Sequence, residues 1–93
     1  MVTVAVYQPI ASILGYQKPG GFKFITHIEK PVTLAKIFEL NEKYGRDLIN
    51  NLSGNPPKVT VTIAVNGKIR RDGLLTRVDD GDEISILPVY LGG

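Results

Sequence analysis

Cysteine is absent from this chain of 93 residues, so disulfide bonds, thiolate metal ligands and cysteine nucleophiles are excluded. The chain has one histidine, His27, and a lone histidine without a second ligand residue indicates neither a metal site nor a catalytic base. No apolar run approaches the roughly 20 residues that span a bilayer, and the N-terminus lacks the basic region and cleavage site of a secretory signal. We therefore expect a cytoplasmic protein that does not associate with a membrane.

The chain also has little excess charge of either sign, because it contains eleven Lys and Arg and nine Asp and Glu, which gives a net charge of +2. The only local basic run is Lys68-Ile69-Arg70-Arg71, and it has no interleaved aromatic residues of the kind that stack on nucleic-acid bases. The run fits a solvated strand edge, where charge discourages edge-to-edge pairing. With 43% hydrophobic and 22% charged residues, the composition predicts one globular domain over residues 1–93 that does not bind nucleic acid.

Three segments alternate apolar and polar residues with the period of two that predicts half-buried strands. Their inward positions are Val2, Val4 and Val6, then Phe22, Phe24, Thr26 and Ile28, then Val59, Val61, Ile63 and Val65. Asn66-Gly67 directly follows the third segment and is the strongest short signal for a hairpin, because both central positions of a type I′ turn favour positive φ. Residues 68–71 form the predicted return strand, and residues 83–87 form the last one.

The sequence predicts one main helix, with Thr33 as its N-cap and Gly45 as its end. Its apolar stripe has helical spacing and consists of Leu34, Ile37, Phe38, Asn41 and Tyr44. We predict a loop over residues 46–57, with at most a helical turn near Leu48. Together, these elements predict an α+β domain of two layers, with a sheet of about five strands packed on one main helix.

The chain ends in Gly92-Gly93, so no side chain lies near the terminal carboxylate. Glycine can enter a narrow slot that bulkier residues cannot, and it loses much conformational entropy when a partner orders it. We therefore expect the tail, from about residue 88 onward, to be flexible until it is bound. Two terminal glycines also arise by chance, so this ending supports a carrier function only together with the residues before it.

Those residues carry a resemblance to a known family. Asn66-Gly67 after an apolar strand, Asp80-Gly81-Asp82-Glu83 before the last strand, and Leu87-Pro88 leading to the double glycine resemble the ubiquitin-like β-grasp sulfur carriers. The sequence is most similar to the MoaD-type small subunits of molybdopterin synthase, with the ThiS-type carriers of thiamine synthesis as near relatives. The resemblance implies a mixed β-grasp sheet packed on a helix.

The resemblance also implies a function and its residues. Gly93 would be adenylated by an E1-like enzyme that uses ATP and Mg²⁺, and then converted to a thiocarboxylate. The chain itself would bind no cofactor, would have no catalytic residue and would not be an enzyme. Its tail would insert into the large subunit of molybdopterin synthase, and its apolar partner surface would lie near the tail. The tail residues are Gly92, Leu91 and Tyr90, and the surface residues are Tyr7, Leu87, Pro88 and Val89.

Two alternatives remain open. The chain could carry sulfur for thiamine or for tRNA thiolation, or be a ubiquitin-like modifier conjugated through Gly93, since Tyr90-Leu91 before the glycines is more typical of such modifiers. It could also be a β-grasp binding module whose terminal glycines are incidental. Deletion of Gly93 separates these classes, because only the binding module would keep its activity.

Overall fold

The computed structural model describes residues 1–89. Seven strands, three helices and one 3-10 turn follow one another along this part of the chain. In order they are β1 (Val2–Val6), α1 (Ile10–Ile13), β2 (Phe22–Thr26), β3 (Val32–Thr33), α2 (Leu34–Leu40), α3 (Gly45–Leu52), β4 (Val61–Val65), β5 (Lys68–Arg70), the 3-10 turn (Gly73–Leu75), β6 (Arg77–Val78) and β7 (Glu83–Pro88).

Five of the strands form one mixed sheet in the order β2-β1-β7-β4-β5. The two central strands, β1 and β7, run parallel, and the other neighbouring pairs are antiparallel. A parallel pair needs a long crossover connection, which here contains α2, α3 and the outer hairpin of β4 and β5. The short strands β3 and β6 form a separate antiparallel pair.

One face of the sheet is buried against the helices, as the alternation predicted. The three strands nearest the centre contribute side chains that are almost fully buried, and α2 and α3 contribute the opposing layer. This core includes Val2, Val4, Val6, Ile63, Val65, Ile84 and Ile86 from the sheet and Leu34, Ile37, Phe38 and Leu48 from the helices. Each such side chain contributes about 1.5–3 kcal/mol by leaving water. The predicted α+β class, a mixed five-stranded sheet with helices on one face, is confirmed.

The predicted single helix is in fact two helices, and the loop predicted from residue 46 is wrong as far as Leu52. Thr33 caps α2 as expected, since its Oγ1 accepts a hydrogen bond from Lys36 N at 3.2 Å. The helix ends because Asn41 turns to an extended conformation, and Asn41 Oδ1 then accepts a hydrogen bond from Tyr44 N at 2.7 Å. Gly45 therefore begins α3 instead of ending the first helix.

The hairpin prediction is confirmed, because Asn66 and Gly67 have φ values of 51° and 82°. The strand before it starts later than predicted, at Val61. Val59 N donates to Asn51 O at 3.0 Å, so this residue is tied to α3 and not to the sheet. No helix within residues 1–89 is long and apolar enough to cross a membrane.

Candidate functional site

The chain reaches its C-terminal segment through β7, which is held on both sides. Its residues pair with β1 as far as Ile86 and with β4 as far as Pro88, which lies opposite Val61. The last described residue, Val89, is exposed. The predicted tail residues Tyr90, Leu91, Gly92 and Gly93 lie outside the described residues. The structure thus shows that the strand preceding the predicted tail is paired with a neighbour on each side.

The face of the sheet opposite the helices carries an apolar groove next to the end of β7. Because side chains alternate along a strand, Leu87 lies on the face opposite the buried Ile86. The neighbouring strand places Ala64 on this face, and Ile69 of β5 lies opposite Ala64. We call this groove, of about 470 Å³, the open-face groove; its walls include Thr62, Ala64, Ile69, Leu87, Pro88 and Val89.

Of the predicted partner-surface residues, the structure brings Leu87, Pro88 and Val89 together in the open-face groove. Tyr7 does not line the groove. Its backbone N–H continues the pairing of β1 with β7 by donating to Ile86 O at 3.0 Å, and its side chain is 40% exposed. The structure therefore places Tyr7 beside β7, but leaves it separate from the groove.

Sequence reasoning missed the contributions of β4 and β5 to this surface. Ile69 was assigned to a charged strand edge, yet it is a large apolar side chain that is 64% exposed. The usable signal was its register. Because Asn66-Gly67 forms a two-residue turn, Lys68 lies opposite Val65 and Ile69 lies opposite Ala64, which is an outward position of the preceding strand.

The acidic turn before β7 fixes the outer hairpin onto the central sheet. Asn66 Nδ2 donates to Asp82 Oδ1 at 2.9 Å, and Asn66 Oδ1 accepts from Glu83 N at 2.9 Å. The other carboxylate oxygen of Asp82 accepts from Asp79 N at 2.8 Å. The two contacts of Asn66 therefore connect the turn between β4 and β5 to the start of β7.

Tyr16 has a strongly shifted pKa, and its contacts give it a structural role. Tyr16 Oη donates to Asp47 Oδ2 at 2.8 Å, and this hydrogen bond, together with burial and the Asp47 charge, raises the pKa of Tyr16 to about 12. The Tyr16 ring packs against Phe22 and Tyr44, with ring centroids 4.8 and 5.1 Å away. Tyr16 therefore stays protonated at neutral pH and fastens the loop before β2 to α3.

His27, the one histidine of the chain, is exposed. Within residues 1–89, no group of three or more His, Cys, Asp or Glu side chains is arranged to hold a metal ion.

Three solved structures share the fold of this chain. SAMP1 from Haloferax volcanii has a TM-score of 0.63 and 15% identity, over 99% of this chain and 98% of that chain. The H. volcanii protein HVO 2177 has a TM-score of 0.61 and 21% identity, over 98% and 85%. A chain of the Amycolatopsis orientalis BexX/CysO complex has a TM-score of 0.54 and 23% identity, over 100% of both chains. No curated protein matches the sequence significantly.

The mixed five-stranded sheet, the helical layer and these neighbours define a ubiquitin-like β-grasp protein. The sequence model of the ThiS family matches residues 21–93, which is most of the chain and includes the double glycine. The chain belongs to the ThiS family. The resemblance to the β-grasp carriers of the MoaD and ThiS type, noted in the sequence, is thereby confirmed.

Proposed function

We propose that this protein is a sulfur carrier whose Gly93 carboxylate is the reacting group. The carboxylate attacks the α-phosphate of ATP on an E1-like enzyme and releases pyrophosphate, with Mg²⁺ supplied at the partner's site. A sulfide equivalent then displaces AMP from the acyl adenylate and leaves a thiocarboxylate. The observation that carries this proposal is the family match, which extends through Gly93.

The chain acts in this scheme as a substrate and not as a catalyst. Its contribution is to present an unhindered carboxylate beyond a strand that is fixed on both sides by β1 and β4. The acid–base groups and the phosphate chemistry belong to the activating enzyme. ATP and Mg²⁺ are accordingly the partner's reagents, and the carrier needs no bound cofactor.

The open-face groove is the surface we propose for partner proteins. Leu87, Pro88 and Val89 lie in it directly before the tail, so a protein that held the groove would also receive Tyr90, Leu91 and the double glycine. Tyr7 lies beside β7 but outside the groove, and we propose it as a further partner contact only on the sequence resemblance. The A. orientalis neighbour was solved in a complex named BexX/CysO, which supports a protein partner for a chain of this fold.

For the sulfur acceptor, we propose the pterin precursor of molybdopterin, with the large subunit of molybdopterin synthase as the second partner. The support is the resemblance of the C-terminal third, from Asn66-Gly67 to Leu87-Pro88 and the double glycine, to the small subunit of that enzyme. The acceptor is tested by offering the thiocarboxylate form to this large subunit with the pterin precursor. Sulfur transfer to thiamine or tRNA precursors instead, or conjugates formed through Gly93, would assign the alternative pathways.

The activation step is tested by pyrophosphate release from an E1-like enzyme supplied with the full chain, ATP and Mg²⁺. We expect release that depends on the chain and stops when Gly93 is deleted. Leu87→Asp, which places a charge in the open-face groove, should raise the KM for the carrier at least tenfold. The matched control is Leu40→Asp, because Leu40 is 48% exposed on α2, in the opposite layer of the fold. Release that persists without Gly93 would overturn the proposal.

A further inference from the structure

The outer edge of β5 is an unpaired strand edge within the described residues. The strand is last in the five-stranded sheet and pairs only with β4. All three of its residues, Lys68, Ile69 and Arg70, are exposed. An edge of this kind presents backbone donors and acceptors on which another strand can pair.

The hairpin register shows which backbone groups face outward. Val65 and Lys68 flank the two-residue turn, so their backbone groups hydrogen-bond to each other across the antiparallel ladder. The next pair, Ala64 and Ile69, is a non-hydrogen-bonded pair. The backbone of β4 agrees with this phase, since Asn66 N bonds in the other direction, to Glu83 O at 2.8 Å. The N–H and C=O of Ile69 therefore point away from the sheet.

The side chains of this edge differ between its two faces. Ile69 lies on the same face as Ala64 and is part of the open-face groove. Lys68 and Arg70 lie on the other face, and within residues 1–89 neither forms an ion pair. A strand added here would place alternate residues beside an apolar wall and beside two cations.

We propose that the outer edge of β5 binds an extended acidic segment of a partner protein by strand addition. Acidic side chains of the segment pair with Lys68 and Arg70, an apolar side chain between them covers Ile69, and its backbone bonds to the outward N–H and C=O of Ile69. The charges that keep two copies of this chain from pairing along β5 select an acidic strand over a neutral or basic one. This binding does not involve Gly93, although Ile69 is also a wall of the open-face groove.

The test is an NMR titration of the full chain with a synthetic peptide of about six residues, the usual length of a strand, that alternates glutamate and valine. We expect amide shifts concentrated at residues 68–70 and slowed hydrogen exchange of the Ile69 N–H. A peptide that alternates lysine and valine should not bind. Added salt should weaken the binding because the ion pairs are exposed.

Two variants test the two parts of the interaction. Lys68→Glu/Arg70→Glu should weaken peptide binding about tenfold or more, since two exposed pairs are replaced by repulsion. The matched control is Lys18→Glu/Lys23→Glu, which makes the same charge change at exposed positions near the opposite edge, β2. Ile69→Pro removes the outward N–H without removing a bond to β4, so it should abolish the binding, while Ile69→Val should keep it.

Equal binding of the acidic and basic peptides would overturn the proposal, as would equal loss in the two charge variants. Shifts confined to another surface, or no binding of either peptide, would also overturn it and leave edge protection as the role of these charges. None of these results depends on an activating enzyme, so they leave the sulfur-carrier proposal untouched.

Discussion

Replacing Gly45 by alanine tests why the helical layer is divided into two helices. A Cβ at this position would lie 1.6 Å from the carbonyl oxygen of Phe38, whereas real Cβ atoms essentially never come closer than 3.0 Å to such an atom. Both groups are backbone, so no side chain can rotate to relieve the contact. The first residue of α3 must therefore move away from α2 by more than 1 Å.

The expected loss of folding free energy depends on the side-chain packing between the helices that this movement disturbs. Phe38 and Leu48 are both fully buried between the helices and the sheet, and opening a packed core of this kind costs up to about 3 kcal/mol. Gly45 has a φ outside the left-handed range, so alanine gains up to about 1 kcal/mol of helix propensity. We expect a net destabilisation of about 2 kcal/mol, which corresponds to a fall in Tm of about 10 °C for a domain of this size.

Urea unfolding followed by circular dichroism measures this difference. Gly20→Ala is the matched control, because a Cβ there meets no atom within 4 Å and the backbone is not left-handed. We expect the control to change the free energy of unfolding by less than about 0.5 kcal/mol. A Gly45→Ala variant as stable as the control would refute the argument that this close approach fixes the two helices.

Two further predictions concern local contacts. Asp47→Asn removes the negative charge that faces Tyr16, so the pKa of Tyr16 should fall from about 12 toward its ordinary value of 10.0 in an ultraviolet titration, with Tyr16→Phe identifying the signal. Because the folded-state pKa is the higher one, the stabilisation is complete below pH 10 and is lost as the pH rises toward 12; an unchanged titration would contradict the assignment. Gly67→Ala should cost about 1 kcal/mol in urea unfolding, since φ is +82° and the space around it is open. A neutral effect there would contradict the type I′ turn.

The strands were predictable because their signals are local. Alternation identified the inward residues of β1, β2 and β4, and Asn66-Gly67 favours the positive φ values that the turn has. The division between α2 and α3 was not predictable, because the apolar spacing continues through Asn41 to Tyr44. The first helix ends where Asn41 becomes extended, and the close approach of Gly45 to the Phe38 carbonyl forms only once the chain has folded back.

The candidate site was predictable only where it lies next to the tail in sequence. Leu87, Pro88 and Val89 were found because they precede the double glycine. Ile69 and Ala64 belong to the same groove through strand pairing, which depends on contacts between distant parts of the chain. The bridge from Asn66 to Asp82 and Glu83 was missed for the same reason, since its partners are 16 and 17 residues apart.

The central claim, that Gly93 carries sulfur, is tested most directly by the intact mass of the chain. The chain is incubated with an E1-like enzyme, ATP, Mg²⁺ and a sulfide source, beside the same chain without Gly93. The account predicts a mass gain equal to the replacement of one oxygen by one sulfur, placed on the last residue by fragmentation and absent from the shortened chain. An unchanged mass with several such enzymes, or an equal gain without Gly93, would contradict it.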